Sequence, residues 1–464
     1  MRLALIRQRY VAHEMERYTE AALEALLERN VAISLYTREW PQTRLQLIEP
    51  VICNPPYLEP LSRDWGFARA ACRAVKAIRP ELVESDEPIA CCDLYRAVHG
   101  VHATRHAQQL RATASRARLG TALNPYESYL RNAERTLLTS PWIRAIICPS
   151  SMVRDDIHAR FGVGLERLHV VPPSVDSDAF HPGLRSLRQW LRERHQIPES
   201  AVVYLTVARD YAHDGVAVAI AALARLPETS HLLIVGAEPH LRDYIRVAEA
   251  LEVRPRVTFA GPQAEPKPYF GAADAFVLPT LYDPCSRTTL EAMACGLPVI
   301  TSTHSGVAEL VSEHDAGFAC DALDVAALAD HMRALHDKPL ARTLGDHARL
   351  AVAGLNTASL TLQLVLVYRA LLMKGSDPGL PRDASMQTDV LLTDRADEPR
   401  TTPLLPAELA VPPALADAAS ELPHDPGNPV PVLDQALAAD ELPPEIGVVP
   451  DTPVVAQPPS LGGR

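Results

Sequence analysis

Apolar positions fall into two alternating patterns along residues 1–375: short unbroken runs, and stretches in which an apolar residue returns every three or four positions. The runs suit strands buried on both faces of a parallel sheet, and the longer period suits helices laid across them. Runs at 3–6, 31–36 and around Leu82 and Val83 alternate with helical periods at 16–28, 67–78 and about 125–138. A buried run at 145–148 precedes a helix capped by Ser150, and a strand and turn over 168–182 close this part. The pattern then restarts, with strands predicted at 202–208, 231–236 and 256–259 and helices at 215–225 and 241–251. Strand, helix, strand at this spacing opens a doubly wound domain, so the expected fold is α/β with two such domains, 1–182 and 183–356. A helix over 357–374 is expected to cross back onto the first.

Residues 275–301 form the densest unit. The run Ala275-Phe-Val-Leu278 reads as a strand ending at Pro279. Asp283-Pro284 offers a helix cap with proline at the first helical position, and Ser286 offers a second capping hydroxyl. Gly296 and Pro298 stop that helix, and Val299-Ile-Thr301 is the next strand. Read singly, Asp283 caps the helix and Glu291 is an exposed helix carboxylate. Read together, a helix start that attracts phosphate and two carboxylates that accept hydrogen bonds from sugar hydroxyls suit a nucleotide sugar. Helices over 306–312 and 325–335 follow.

Composition narrows the function. Aromatics are only 5% and the formal charge is −12, which argues against a stacking platform or non-specific binding of nucleic acid. Eight cysteines, at 53, 72, 91, 92, 148, 285, 295 and 320, show no zinc-ligand spacing and read as reduced, mostly buried thiols. Neither a signal peptide nor an apolar membrane span is legible, so a cytoplasmic protein is expected. Beyond residue 374 the character changes. Residues 375–464 hold 17 of the 41 prolines, no aromatic residue, and 15 Asp and Glu against 4 Arg, so an acidic, proline-rich, disordered tail is expected.

The 283–299 stretch resembles the donor-site signature of glycosyltransferase family 4, in which two acidic residues separated by seven others precede Ala-Met/Leu-Ala-x-Gly-x-Pro-Val. Its Tyr-Asp-Pro-Cys-Ser wording is similar to the lipopolysaccharide core glucosyltransferase I branch, with Asp283 where the family usually has Glu. The resemblance implies the GT-B architecture, two doubly wound domains facing a cleft. It also implies retaining transfer of a hexose or heptose from a nucleoside diphosphate sugar to a glycolipid or polysaccharide precursor, without a metal or other cofactor. Peripheral contact with the cytoplasmic membrane face, at the inner membrane, is compatible with such an acceptor.

Residue by residue, the resemblance gives Arg209 to the donor diphosphate, Asp283 to the donor sugar and Glu291 to the ribose. Ser286, Arg287, His213, Gly215 and Gly306 complete the donor side, and His99 and His102 stand near the reaction centre. Four departures set this chain apart: Asp283 stands where the family usually has glutamate, Asp214 where it has lysine, His99 where it often has aspartate, and the glycine pair usual after the first strand is missing at 11–16. A carboxylate at 214 opposes a diphosphate, so slow turnover is expected, as is a gain on Asp214→Lys. The alternative is a catalytically impaired relative that binds a nucleotide sugar or a partner protein through the same cleft.

Overall fold

The computed structural model describes residues 2–9, 23, 26–28, 30–40, 48–113 and 124–373. The expected tail, most of the 16–28 helix and the 11–16 segment lie outside these residues.

The first sheet has seven parallel strands: β1 (Arg2–Ile6), β2 (Ala32–Thr37), β3 (Glu49–Ile52), β4 (Leu82–Ser85), β5 (Leu94–Arg96), β6 (Ala145–Cys148) and β7 (Leu168–Val170). Their order is β3-β2-β1-β4-β5-β6-β7, so the winding reverses between β1 and β4. The second sheet comprises β8 (Val202–Val207), β9 (Ser230–Val235), β10 (Val257–Gly261), β11 (Ala275–Leu278), β12 (Val299–Ser302) and β13 (Gly317–Cys320). It runs β10-β9-β8-β11-β12-β13, again all parallel, and reverses between β8 and β11. Central strands such as β4, β6, β9, β11 and β12 are buried along their whole length, because helices cover both faces and leave neither side to solvent.

One face of the first sheet packs on helices Pro60–Ile78, Pro125–Leu138 and Ser151–Phe161 through Phe67, Ala71, Val75, Leu137, Val153 and Ile157. The other face is covered by Leu23, Leu26 and the last described helix, Thr357–Met373, which contributes Leu360, Leu364, Val367, Tyr368 and Leu371. The Tyr368 hydroxyl donates to Glu84 Oε2 at 2.6 Å, a polar fastening inside an apolar layer. Among the described residues no single helix is long and apolar enough to cross a membrane.

The segment between the sheets is held by Arg192, which is 1% exposed. Its guanidinium donates to the carbonyls of Ala272, Glu199 and Ala201 and to Asp274 Oδ2 at 2.9 Å. Asp274 Oδ2 also accepts the Val203 N–H, and Arg188 pairs with Asp274 Oδ1 at 2.9 Å, so two arginines of the approach segment meet one carboxylate at the first strand of the second sheet.

Two expectations change here. Cys72 and Cys91 form a disulfide that joins helix Pro60–Ile78 to the loop after β4, so the cysteines are not all reduced thiols. The two lie 19 residues apart and meet only once that helix has packed on the sheet. The helix of the donor unit starts at Arg287 with Ser286 as its cap, not at Asp283-Pro284. Asp283 instead turns its carboxylate onto the Cys285 N–H at 3.0 Å, while its backbone bridges to Ser305.

Candidate active site

Loops after parallel strands gather at the carboxyl edge of a sheet, and a gap opens where the winding reverses. Both reversal points of this chain face one cavity of about 360 Å³. Arg7 follows β1 and Asp86 follows β4 on one wall; the 208–215 loop follows β8 and Asp283 follows β11 on the other. Side-chain contacts close one side of it. The Tyr282 hydroxyl accepts the Val101 N–H at 2.7 Å, and the Ser150 hydroxyl donates to the Pro284 carbonyl at 2.7 Å. Farther along the same boundary, Arg111 pairs with Asp321 at 2.8 Å and Gln108 meets His304 at 2.8 Å.

The loop after β8 is built by its own polar groups. Asp214 Oδ2 accepts the N–H groups of Arg209 at 2.8 Å and of Asp210 at 3.2 Å. Asp210 in turn accepts the His213 N–H, and the His213 ring donates from Nε2 to the Tyr282 carbonyl at 2.6 Å. Gly215 has φ +74° and packs against the backbone of Pro279, where an added Cβ would lie 2.1 Å from the carbonyl oxygen. Glycine is therefore required on two grounds, conformation and space. The Asp214 carboxylate is thus a cap for its own loop rather than a bare charge beside the ligand. Burial raises its pKa, and the two backbone N–H groups oppose that.

Arg209 and Arg287 bring positive charge to the cavity wall, with Asp210, Asp214 and Asp283 around them. Burial, and then the like charge of Asp214, push the Asp283 carboxyl up to about 6, against the pull of Arg209. Ionised above that value, Asp283 accepts hydrogen bonds; protonated below it, it loses most of that capacity. His99 faces the cavity from the opposite wall, its pKa lowered by burial and by Arg105.

Of the residues singled out in the sequence, Arg209, His99, His213, Asp283, Ser286 and Arg287 line this cavity. Four do not. Gly215 supports the loop from beneath, as described. His102 is turned away, with Nε2 at 2.9 Å from Glu127 Oε2, Nδ1 held by Arg105 and its backbone N–H held by Glu134, so the second histidine of the pair is structural. Gly306 does allow a close approach, but to protein: an added Cβ would lie 1.8 Å from the Pro284 carbonyl oxygen, and the Gly306 N–H already donates to Asp283 O. Glu291 is 8% exposed, one helical turn beyond Arg287, and is not a wall residue. Sequence reasoning passed over Tyr282, Arg7, Asp86, Arg96 and Arg105, all of which line the cavity. For Arg7 the signal was available, since it directly follows an apolar run in a doubly wound pattern.

Comparison with known proteins agrees with this geometry. Residues 15–179 match the model of the family described as Glycosyltransferase Family 4, and residues 188–351 match that of Glycosyl transferases group 1. The D-inositol 3-phosphate glycosyltransferase of Xylanimonas cellulosilytica is 33% identical over 224 residues, 46% of this chain and 52% of that protein. The lipopolysaccharide glucosyltransferase WaaG of Escherichia coli is 29% identical over 166 residues, 35% of this chain and 44% of that one. The chain thus spans about half the length of the curated relatives it matches. The crystal structure of WaaG superposes with TM-score 0.66 at 21% identity, covering 81% of this chain and all of that one. Anabaena HepE in complex with UDP-glucose gives 0.60 at 18%, covering 80% of this chain and all of that one. These likenesses give the fold as GT-B.

Proposed function

Because this chain belongs to glycosyltransferase family 4, we propose that it transfers a sugar from a nucleoside diphosphate sugar to a hydroxyl of a glycolipid or glycan acceptor, with retention of anomeric configuration. The observation that carries this reading is the meeting of both sheet reversal points in one cavity whose donor wall holds Arg209 and Arg287. In it the two guanidiniums hold the diphosphate and take up the charge that grows as it departs, as a metal ion does in other transferases. Asp283 accepts from hydroxyls of the donor sugar, Ser286 caps the helix that meets the phosphates, and His99 faces the transferred sugar from the acceptor side. The resemblance gives the ribose to Glu291, which is buried one helical turn beyond the wall residue Arg287. The assignment to lipopolysaccharide or related envelope glycan synthesis, in the cytoplasm beside the inner membrane, follows the resemblance of the 282–286 wording and the likeness to WaaG.

Titration of a panel of nucleotide sugars with turnover recorded tests this reading; no binding and no turnover with any donor would overturn it. Binding without turnover would favour the second reading, an impaired relative that only binds a nucleotide sugar or a partner, for which the three aspartates around Arg209 speak. Glu291→Ala is expected to weaken donor binding by about 1.5–3 kcal/mol, the size of a hydrogen bond to a charged group. Calorimetry on the folded variant checks this, and an unchanged Kd would leave Glu291 a purely structural residue.

The geometry also changes which substitution tests position 214. Lysine there would remove the cap on Arg209 and Asp210 together with the charge, whereas asparagine keeps an acceptor oxygen for the same N–H groups. Asp214→Asn is therefore expected to tighten donor binding by about 1 kcal/mol, roughly fivefold, the size of one removed like charge across a wet cavity. It should also lower the Asp283 pKa and move the acidic limb of the pH–rate profile down, because Asp214 is one of the groups holding that carboxyl up. Donor affinity and the pH profile, measured on the same variant, check both effects.

A further inference from the structure

The carboxyl edge of the first sheet carries cations that the donor side does not use. Arg7 follows β1, Arg96 ends β5, and Arg105 lies in the first turns of helix His102–Ala112; all three line the cavity. Two are paired with acids: Arg7 Nε lies 2.7 Å from Asp86 Oδ2, and Arg96 is a loose 3.4 Å from Glu84 Oε1, whose other oxygen is held by Tyr368. Arg105 donates to His102 Nδ1 at 3.2 Å rather than to a carboxylate, with Glu134 the acid near enough to feel its charge. Arg96 Nε, Arg105 Nε and the hydroxyl of the 1% exposed Ser174, which also lines the cavity, have no hydrogen-bond partner in the protein. Buried donors seldom stay unmet, and here several stand at one wall around a net positive charge.

We propose that this wall is a subsite for an anionic group on the acceptor, a phosphate monoester or a carboxylate, bound by Arg105 and Arg96 with Ser174. The proposal rests on the transferase reading for the word acceptor, but anion binding at this wall stands without it. It places the charged group on the first sheet, across the cavity from Arg209 and Arg287, so that the acceptor enters with its anion anchored and a hydroxyl turned toward the donor sugar. Neutral acceptors then react with a higher KM than their phosphorylated or carboxylated counterparts, at similar kcat.

The test uses the full chain and inorganic phosphate as probe, with malonate as the carboxylate arm, by calorimetry in a background carrying both Arg209→Ala and Arg287→Ala so that the donor wall does not contribute. Phosphate binding weakened roughly tenfold or more by Arg105→Gln supports the subsite. Arg96→Gln leaves Glu84 buried without its cation and is open to misfolding, so Ser174→Ala serves as the second variant, expected to weaken binding severalfold. Tighter binding of phosphate identifies the group as a phosphate, and tighter binding of malonate identifies it as a carboxylate. Phosphate and malonate affinities unmoved by both Arg105→Gln and Ser174→Ala, or no binding of either anion, would overturn the proposal. Turnover with nucleotide sugars in that case would leave the transferase reading intact, whereas anion binding at Arg105 in a protein that binds no nucleotide sugar would keep the subsite and remove the transferase.

Discussion

Arg209→Ala is expected to lower kcat by about a hundred- to a thousandfold, the usual cost of removing one electrostatic stabiliser of a developing charge. Its side chain is exposed at the cavity wall and the loop's internal hydrogen bonds run through backbone N–H groups and Asp214, so the melting temperature should hardly move. The effect should fall on kcat more than on KM, because the charge to be stabilised grows only as the diphosphate leaves. Arg209→Lys should recover part of the rate, since a point charge replaces the fork but not its geometry. A loss below threefold in Arg209→Ala would mean that Arg287 carries the departing charge alone.

Arg192→Ala should be the costliest substitution for stability, at about 3–5 kcal/mol by chemical denaturation, the usual penalty for removing one partner of a buried ion pair. Burial lowers the Arg192 pKa and Asp274 opposes this, but the guanidinium stays charged throughout the working pH range. Removing it strands the carbonyls of Glu199 and Ala201 and leaves Asp274 and the Ala272 carbonyl to Arg188. Urea melts of the variant beside the wild type decide the point, and a loss below about 1 kcal/mol would mean that water replaces the guanidinium without cost.

The parallel sheets were legible wherever a strand is buried on both faces, because an unbroken apolar run such as 275–278 or 232–235 has no other economical fate in a chain of this pattern. Edge and very short strands were not. Glu49–Ile52 is an outer strand with exposed residues, and Leu94–Arg96 has three residues and ends in an arginine, so neither presents a periodic signal. The site was legible as a neighbourhood: the motif at 283–299 and the loop after β8 do converge. What each residue does there depends on contacts between loops far apart in sequence. Asp283 loses the capping role because Ser305 and His304 pin its backbone, and His102 leaves the cavity because Glu127 and Glu134, from the helix Pro125–Leu138, hold it. Tyr282 looked like part of a motif, yet its hydroxyl reaches Val101, 181 positions earlier.

The last described helix has a consequence for how the protein comes into being. Leu3, Leu5, Ile33, Leu35 and Val171 lie on a sheet face whose cover includes Leu360, Leu364 and Leu371. At bacterial-scale elongation of about 5–20 residues per second, the roughly 190 residues between Val171 and Leu360 keep that face incompletely covered for about 10–40 s on the ribosome. The nascent first half therefore presents an apolar sheet face during that interval, and a holding chaperone is expected to bind it. A chain that stops before residue 357 should be captured or aggregate, while the second sheet, with cores built from residues 175–352, is free to fold in the meantime.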